Sequence, residues 1–361
     1  MTQKNKLMFH LIVFIICILL LSCSLVYPVT REVITETDDL FLQLKGYIII
    51  DKPGDISAIE LPFVKHSDII ERCKADGRIK ALSAPDKKGR VAFISDDLKT
   101  YSLSIVDMWT KKEIKIFTRQ GSSWPHEKDN YGRSIAIADN NGIVAYVRNY
   151  KSDSRLIPDD YLDIGSLKIV DIEKKSEIDT DVNVIDKGMA WFPGGDKLLY
   201  SGLVPKLKVD KKLKTQFEDG FGNSMINWQS IPVVMTLDLK DMSTRQLHIG
   251  WNPHVTGEGS AIVIQDYEGR IRLYDIARGD SIPVNVPIDE RCHVFSSIGK
   301  DYLLYKTIPY KDRKQRWTST FGRTPLWTLR IAQMNTKRFK TVVQDLDKHR
   351  RVSYGIVEEK K

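Results

Sequence analysis

The side chains best suited to catalysis are carboxylates in two long polar segments of the chain. They are Asp159, Asp160, Asp163, Glu218 and Asp219. Two carboxylates can act as general acid and general base on a glycosidic bond, so this set would suit a hydrolase or lyase acting on a polysaccharide. No local motif pairs any two of them, so we assign no catalytic residue and expect a binding protein rather than an enzyme.

Other chemical motifs are incomplete in the sequence. The segment GNSMI at Gly222 contains a serine but lacks the closing glycine of a nucleophile elbow. The 7 histidines are scattered, and His248 and His254, on either side of Trp251, lack the spacing of a metal site. We therefore expect neither a metal nor a cofactor.

The N-terminal segment has the order of an export signal. Lys4 and Lys6 precede an apolar run over residues 7–21, which Ser22 and Cys23 follow. The string LLSC, ending at Cys23, resembles the lipobox of bacterial lipoproteins. That resemblance implies removal of residues 1–22 and lipid attachment at Cys23, and Ser24 would then favour the outer membrane of a Gram-negative cell.

Two alternatives to lipid attachment remain open. The apolar run continues to Tyr27, about 20 residues in all, which is long enough for an uncleaved membrane anchor. Ordinary secretion after cleavage is the other alternative. Each places the protein outside the cytoplasm, where Cys73 and Cys292 could pair or remain as two buried thiols.

The rest of the chain carries a strand pattern that recurs five times between Ile79 and Val343. Each copy begins with a short apolar strand, a Gly/Asp-rich turn and a second apolar strand, as in RSIAIADNNGIVAYV from Arg133. An alternating strand, a polar turn and a fourth strand follow, as in GSLKIVDIEKKSEIDT from Gly165. Groups of four strands at a period of about 40–50 residues predict the blades of an all-β propeller.

Part of this pattern resembles a known repeat family. Residues 82–118, LSAPDKKGRVAFISDDLKTYSLSIVDMWTKKEIKIFT, look like the repeat of TolB-like propellers, and the segment at Trp191 is the next best copy. DYEGRIRLYDIARGD at Asp266 also resembles WD-type repeats. The resemblance implies the architecture and no catalytic residue, because these motifs specify turns and strand packing.

The two ends of the repeat region complete the count of blades. The segment from Tyr47 matches only the second half of a blade, and RVSYGIV from Arg351 supplies a strand with nothing after it. We expect this last strand to join the first blade and close a ring of about six blades. The predicted organisation is a signal or anchor over residues 1–22, a lipidated cysteine and tether over 23–44, and one propeller domain over 45–361.

Four aspartates, Asp107, Asp171, Asp238 and Asp275, share one position of the repeat. A shared position in a turn indicates that these side chains cap the turn and have no chemical role.

The long connections of the predicted propeller fall on only one of its two faces. They carry aromatic and basic residues, as an interaction surface would. The candidate binding residues on this face are Trp124, Tyr161, Trp228, Trp251, Arg316, Trp317 and Arg323.

The charge balance bears on the choice of partner. The chain has a net charge of +8, which is compatible with an anionic partner and also with simple solubility. There is no concentrated basic tract with stacking aromatics, so we expect no nucleic-acid partner. The expected partner is an envelope protein or polysaccharide, with the membrane contacted through the N-terminal lipid or anchor helix.

Overall fold

The architecture was taken from a computed structural model. It describes residues 35–36, 39, 42–52, 55–62, 65–70, 78–97, 99–121, 131–139, 142–153, 162–215, 229–266, 270–287, 292–307, 327–346 and 351–358. The chain divides into two units, residues 1–35 and 36–361, and the fold described below belongs to the second. Cys23, the export segment and Cys73 lie outside the described residues.

The strands form six antiparallel sheets, each a blade of a β-propeller, as the repeat predicts. From the axis outward, blade 1 contains β25 (Val352–Gly355), β2 (Gly46–Lys52), β3 (Asp55–Leu61) and β4 (Lys65–Ile70); blade 2, β5 (Arg78–Leu82), β6 (Arg90–Asp96), β7 (Thr100–Asp107) and β8 (Glu113–Gln120); blade 3, β9 (Tyr131–Ile137), β10 (Ile143–Asp153), β11 (Leu162–Asp171) and β12 (Ser176–Ile185).

The remaining three blades follow the same order. Blade 4 contains β13 (Met189–Trp191), β14 (Lys197–Pro205), β15 (Ser230–Asp238) and β16 (Thr244–Ile249); blade 5, β17 (Trp251–Val255), β18 (Ala261–Gln265), β19 (Ile271–Asp275) and β20 (Asp280–Val284); blade 6, β21 (Cys292–Ile298), β22 (Tyr302–Thr307), β23 (Trp327–Gln333) and β24 (Arg338–Leu346), with the short β1 (Thr35–Glu36) outside it. A 3₁₀ turn (Lys206–Lys208) and a helical turn over 211–215 lie between β14 and β15.

Burial of the strands within a blade explains why their sequences are continuous apolar runs. In β6 the residues from Val91 to Ile94 are all buried, because each middle strand packs against a neighbouring blade on both of its faces. The outer strand β8 has only one fully buried residue, Ile116. The core is therefore distributed over the blade interfaces, and continuous apolar runs mark the inner strands.

The C-terminal strand closes the ring, which confirms the prediction from the chain ends. Strand β25 pairs antiparallel with β2, from Val352 opposite Ile50 to Gly355 opposite Tyr47. On its other side, Ser353 Oγ donates a hydrogen bond of 2.7 Å to the Ser83 carbonyl of blade 2. Blade 1 is thus assembled from both ends of the propeller.

The strand-end aspartates cap the turns between third and fourth strands. In blade 2, Trp109 N and Thr110 N donate to Asp107 Oδ1 at 2.9 and 2.7 Å. Asp171, Asp238 and Asp275 accept backbone hydrogen bonds in the same way. These carboxylates fix the turns, as an Asp at this position of a turn does, and the predicted structural role is confirmed.

The connections differ between the two faces, as expected. The second strand of a blade ends, and the third begins, on the face where blades are joined; the sequence between these two strands is longest in blades 3, 4 and 6, where the third strands begin at Leu162, Ser230 and Trp327. On the opposite face the first and second strands are joined by short segments, such as 192–196, 256–260 and 299–301. We call the first the loop face and the second the turn face.

Candidate functional site

A channel lies along the propeller axis. It has a volume of about 760 Å³ and is lined by side chains from the innermost strands of all six blades or the segments next to them. Every inner strand begins at the loop face and ends at the turn face. Residues at the first positions of these strands therefore gather at the loop-face mouth of the channel.

Three basic residues lie at this mouth. Arg133 is near the start of β9, Lys187 precedes β13 and Arg351 precedes β25, and all three line the channel. Arg133 is exposed to the channel, and Arg351 is partly buried. Within the described part of the chain, neither guanidinium forms an ion pair; Arg351 Nε donates to the Lys80 carbonyl at 3.1 Å. The mouth thus contains two arginine guanidinium groups that form no ion pair with a described carboxylate.

The nearby carboxylates are held by backbone amides instead. Asp186 lies 8% exposed just before β13, and its two oxygens accept hydrogen bonds of 2.6 Å from Arg133 N and Ser134 N. Burial raises the pKa of Asp186, while these amides and the Arg133 charge oppose the rise. Asp51 Oδ1 similarly accepts from Arg351 N at 2.5 Å. Both carboxylates therefore position the backbone that carries the arginines.

An aromatic ring completes the mouth. Trp251 is the first residue of β17, partly buried, and Lys187 Nζ lies 4.7 Å from the centre of its ring. Such a cation–π contact holds both side chains at the channel wall. Trp251 was predicted among the binding residues of the face that carries the long connections, but Gly250 alone connects β16 to β17, so the tryptophan begins the inner strand.

Two histidines also line the channel. Burial lowers the pKa of His254 to about 4, against the opposing effect of the Val294 carbonyl. His293 is exposed to the channel, and local desolvation, followed by the charges of Lys306, His254, Arg351 and Lys187, lowers its pKa. Both imidazoles are neutral at pH 7, so the positive charge of the mouth comes from arginine and lysine.

The low pKa of His254 predicts a pH-dependent stability. Its folded pKa of about 4 lies below the ordinary value of 6.5, so between these values the unfolded chain binds more protons. The free energy of unfolding should therefore fall as the pH drops from 6.5 towards 4, by at most about 3 kcal/mol from this residue. Urea denaturation of His254→Asn should give a shallower pH dependence in this window.

Above pH 7 the same comparison provides a control. Wild type and His254→Asn should there differ by a constant free energy, because the imidazole is neutral in both folded and unfolded chains. Equal slopes for the two proteins between pH 6.5 and 4.5 would contradict the lowered pKa of His254.

Only part of the predicted site falls within the described residues. Trp251 does, and it lines the channel. Trp124, Tyr161, Trp228, Arg316, Trp317 and Arg323 lie outside the described residues. Of the candidate carboxylates, Asp163 lines the channel mouth, whereas Asp159, Asp160, Glu218 and Asp219 lie outside the description. For Cys292 only the backbone, at the start of β21, is described.

The arginines and Lys187 were missed by reasoning from motifs, although the repeat contained a signal. Arg133, Lys187 and Arg351 each stand within two residues of the first residue of an inner strand. Because every inner strand starts at the same face, basic residues near this point in three copies predict a positive channel mouth. Comparing the copies at the start of each inner strand would have identified this set.

No group of three or more His, Cys, Asp or Glu side chains in the described ranges could hold a metal ion. Among those same residues, none of the helices has the length and apolar character needed to cross a membrane.

Comparisons with known proteins support the fold. No protein-family model and no curated protein sequence matches the chain. Among solved structures, TolB from Acinetobacter baumannii superposes with a TM-score of 0.53 at 12% identity, over 85% of this chain and 66% of that one. This chain therefore spans slightly less than two thirds of that TolB chain.

Two other solved structures are less similar. A nidogen/laminin complex gives a TM-score of 0.49 at 10% identity, over 85% of this chain and 96% of the matched chain. An oligogalacturonate lyase in complex with manganese gives a TM-score of 0.45 at 12% identity, over 83% of this chain and 74% of the matched chain. At these identities the comparisons establish a fold shared with TolB, in agreement with the repeat resemblance, and they do not establish a function.

Proposed function

We propose that this protein is a non-catalytic binding propeller of a bacterial cell envelope, which uses its loop face to hold an envelope protein or an anionic envelope polymer. The observation that carries the proposal is the loop-face mouth of the channel, where Arg133, Arg351 and the Lys187–Trp251 pair lie. Arginine and tryptophan are the side chains that contribute most to binding at interfaces.

A binding role fits the described chemistry of the mouth better than a catalytic one. Asp186 and Asp51 accept backbone hydrogen bonds and therefore hold the fold, which leaves them poorly placed as a general acid and base. The histidines of the channel titrate far below neutral pH. A general acid or base works best when its pKa lies near the working pH.

The location in the envelope is supported by the N-terminal sequence. Lys4, Lys6 and the apolar run before Cys23 suit export, and the LLSC string suits lipid attachment at Cys23. Lipid attachment would tether the propeller to a membrane. Mass spectrometry of the mature N-terminus distinguishes a lipidated Cys23 from an uncleaved anchor.

The loop-face proposal is tested by crosslinking the full-length protein in envelope preparations and identifying the partner by mass spectrometry. Trp251→Ala should reduce the yield of the crosslinked partner at least about tenfold if the ring is a binding hot spot. Trp228→Ala and Trp317→Ala test the long connections in the same way. Lys87→Ala, at the turn-face mouth of the channel, serves as the matched control and should leave the yield unchanged.

Two outcomes would contradict this function. One is equal recovery of the partner by wild type and all three tryptophan variants, which would exclude the loop face. The other is turnover of a polysaccharide by the purified protein, lost on substitution of Asp163, which would favour the hydrolase or lyase alternative.

A further inference from the structure

The channel mouth contains two guanidinium groups that the described fold leaves without acidic partners. Arg133 is exposed to the channel, and its backbone N rather than its side chain contacts Asp186. Arg351 uses only Nε, which donates to the Lys80 carbonyl, and its side chain reaches no carboxylate within ion-pair distance. The remaining guanidinium N–H groups are available to a ligand in the channel.

The two arginines come from blades that are not adjacent. Arg133 belongs to β9 of blade 3 and Arg351 precedes β25 of blade 1, with blade 2 between them. Both side chains line the same cavity, so they approach it from two directions around the axis. A ligand group placed between the two arginines could accept hydrogen bonds from both guanidinium groups.

Holding these two cations together in the channel is unfavourable. Burial lowers the pKa of the Arg351 guanidinium, and the positive charge of Arg133 lowers it further. The carboxylates that oppose this effect, Asp51 and Asp186, are directed to backbone amides. The two guanidinium groups are therefore neighbouring cations that form no ion pair with a described carboxylate, and an acidic ligand group could accept the hydrogen bonds that Asp51 and Asp186 do not take.

We propose that the loop-face mouth of the channel binds a carboxylate group between Arg133 and Arg351. The planar guanidinium matches a carboxylate in two parallel hydrogen bonds, which a lysine could not provide. A singly charged ligand suits the site better than a phosphate dianion, because Asp51, Asp163 and Asp186 already contribute negative charge near the mouth. The proposal specifies the ligand chemistry of the loop-face function proposed above, and it rests on that function.

The carboxylate can come from two sources, a peptide chain end or an acidic sugar of a polymer. Isothermal titration calorimetry of the full-length protein distinguishes them with trialanine, trialanine amide, tri-galacturonate and inorganic phosphate as probes. Trialanine binding that is lost in the amide identifies a peptide carboxylate, and tri-galacturonate binding identifies a sugar acid. Either result supports the proposal when it depends on Arg133.

Arg133→Gln is the decisive variant, because the exposed side chain can be replaced without removing a described contact of the fold. We expect it to weaken carboxylate binding about 10- to 100-fold, as loss of a charge-assisted hydrogen-bond pair would. Arg133→Lys should retain part of the affinity through its charge. Lys87→Gln at the turn-face mouth should retain all of it.

Three results would overturn the carboxylate site: no binding of either acid probe, tighter binding of phosphate than of both acids, or unchanged affinity in Arg133→Gln. Thermal denaturation of each variant verifies that it is folded. Failure of the carboxylate site in calorimetry can be distinguished from failure of the loop-face function in the crosslinking experiment. A partner captured through Trp251 without carboxylate binding would leave the loop-face function standing and remove only this site.

Discussion

Deletion of residues 351–361 is expected to abolish the cooperative unfolding transition of the propeller. The deletion removes β25, the innermost strand of blade 1, together with its pairing to β2. In the full chain Ile48, Ile49 and Ile50 of β2 are buried. After the deletion β2 would become an edge strand, and these apolar residues would be exposed. Circular dichroism during heating should give a broad, shallow change in place of a single sharp transition.

The size of this effect follows from what β25 contributes. Val352 and Tyr354 are buried in a cluster with Leu304 and Ile331 of blade 6, so the strand joins two blades. Their burial contributes about 3–6 kcal/mol in hydrophobic free energy. Ser353 Oγ also links the strand to blade 2. The loss is comparable to the total stability of a typical domain, which is about 5–15 kcal/mol.

A shorter deletion provides the control. Removal of residues 359–361 leaves β25 and the Glu358 N–H that donates to the Lys87 carbonyl at 2.9 Å. This variant should unfold like the wild type. A sharp transition at an unchanged temperature after deletion of 351–361 would mean that β25 does not hold the ring closed.

The architecture was largely predictable because it is encoded locally and repeated. An apolar run such as Val91–Ile94 marks a strand buried on both sides, and Asp107 and its equivalents mark the turns. The unmatched segments at Tyr47 and Arg351 predicted the closure that the pairing of β2 with β25 confirms. Each of these signals needs only a short window of sequence.

The channel mouth was not predictable in the same way, because it is assembled across the ring. Arg133 and Arg351 are separated by most of the chain, and no motif connects them. That neither guanidinium forms an ion pair with a described residue depends on the fold and not on the local sequence. Trp251 was identified as a binding residue, but its contact with Lys187 required the geometry of two adjacent blades.

Gly250 determines where that tryptophan lies, and its replacement should be among the most destabilising single substitutions. It is the single-residue connection between β16 and β17, with φ at +143°. A Cβ atom there would lie 2.6 Å from the Gln265 carbonyl oxygen and 2.8 Å from Ile264 Cγ2. Because the closest atom belongs to the backbone of the paired strand β18, the clash cannot be relieved by a rotamer change.

We expect Gly250→Ala to lower the free energy of unfolding by about 2–6 kcal/mol, which combines backbone strain with overpacking. Gly299→Ala is the matched control, since its φ is +60° and no atom lies within 4 Å of the added Cβ. That variant should lose only about 1–2 kcal/mol, the cost of a left-handed alanine. Urea denaturation of both proteins separates the cost of backbone strain, present in both variants, from the cost of overpacking, present only in Gly250→Ala. Equal losses would mean that β17 can shift away from β18, in which case the position of Trp251 at the channel mouth is adjustable rather than fixed by the glycine.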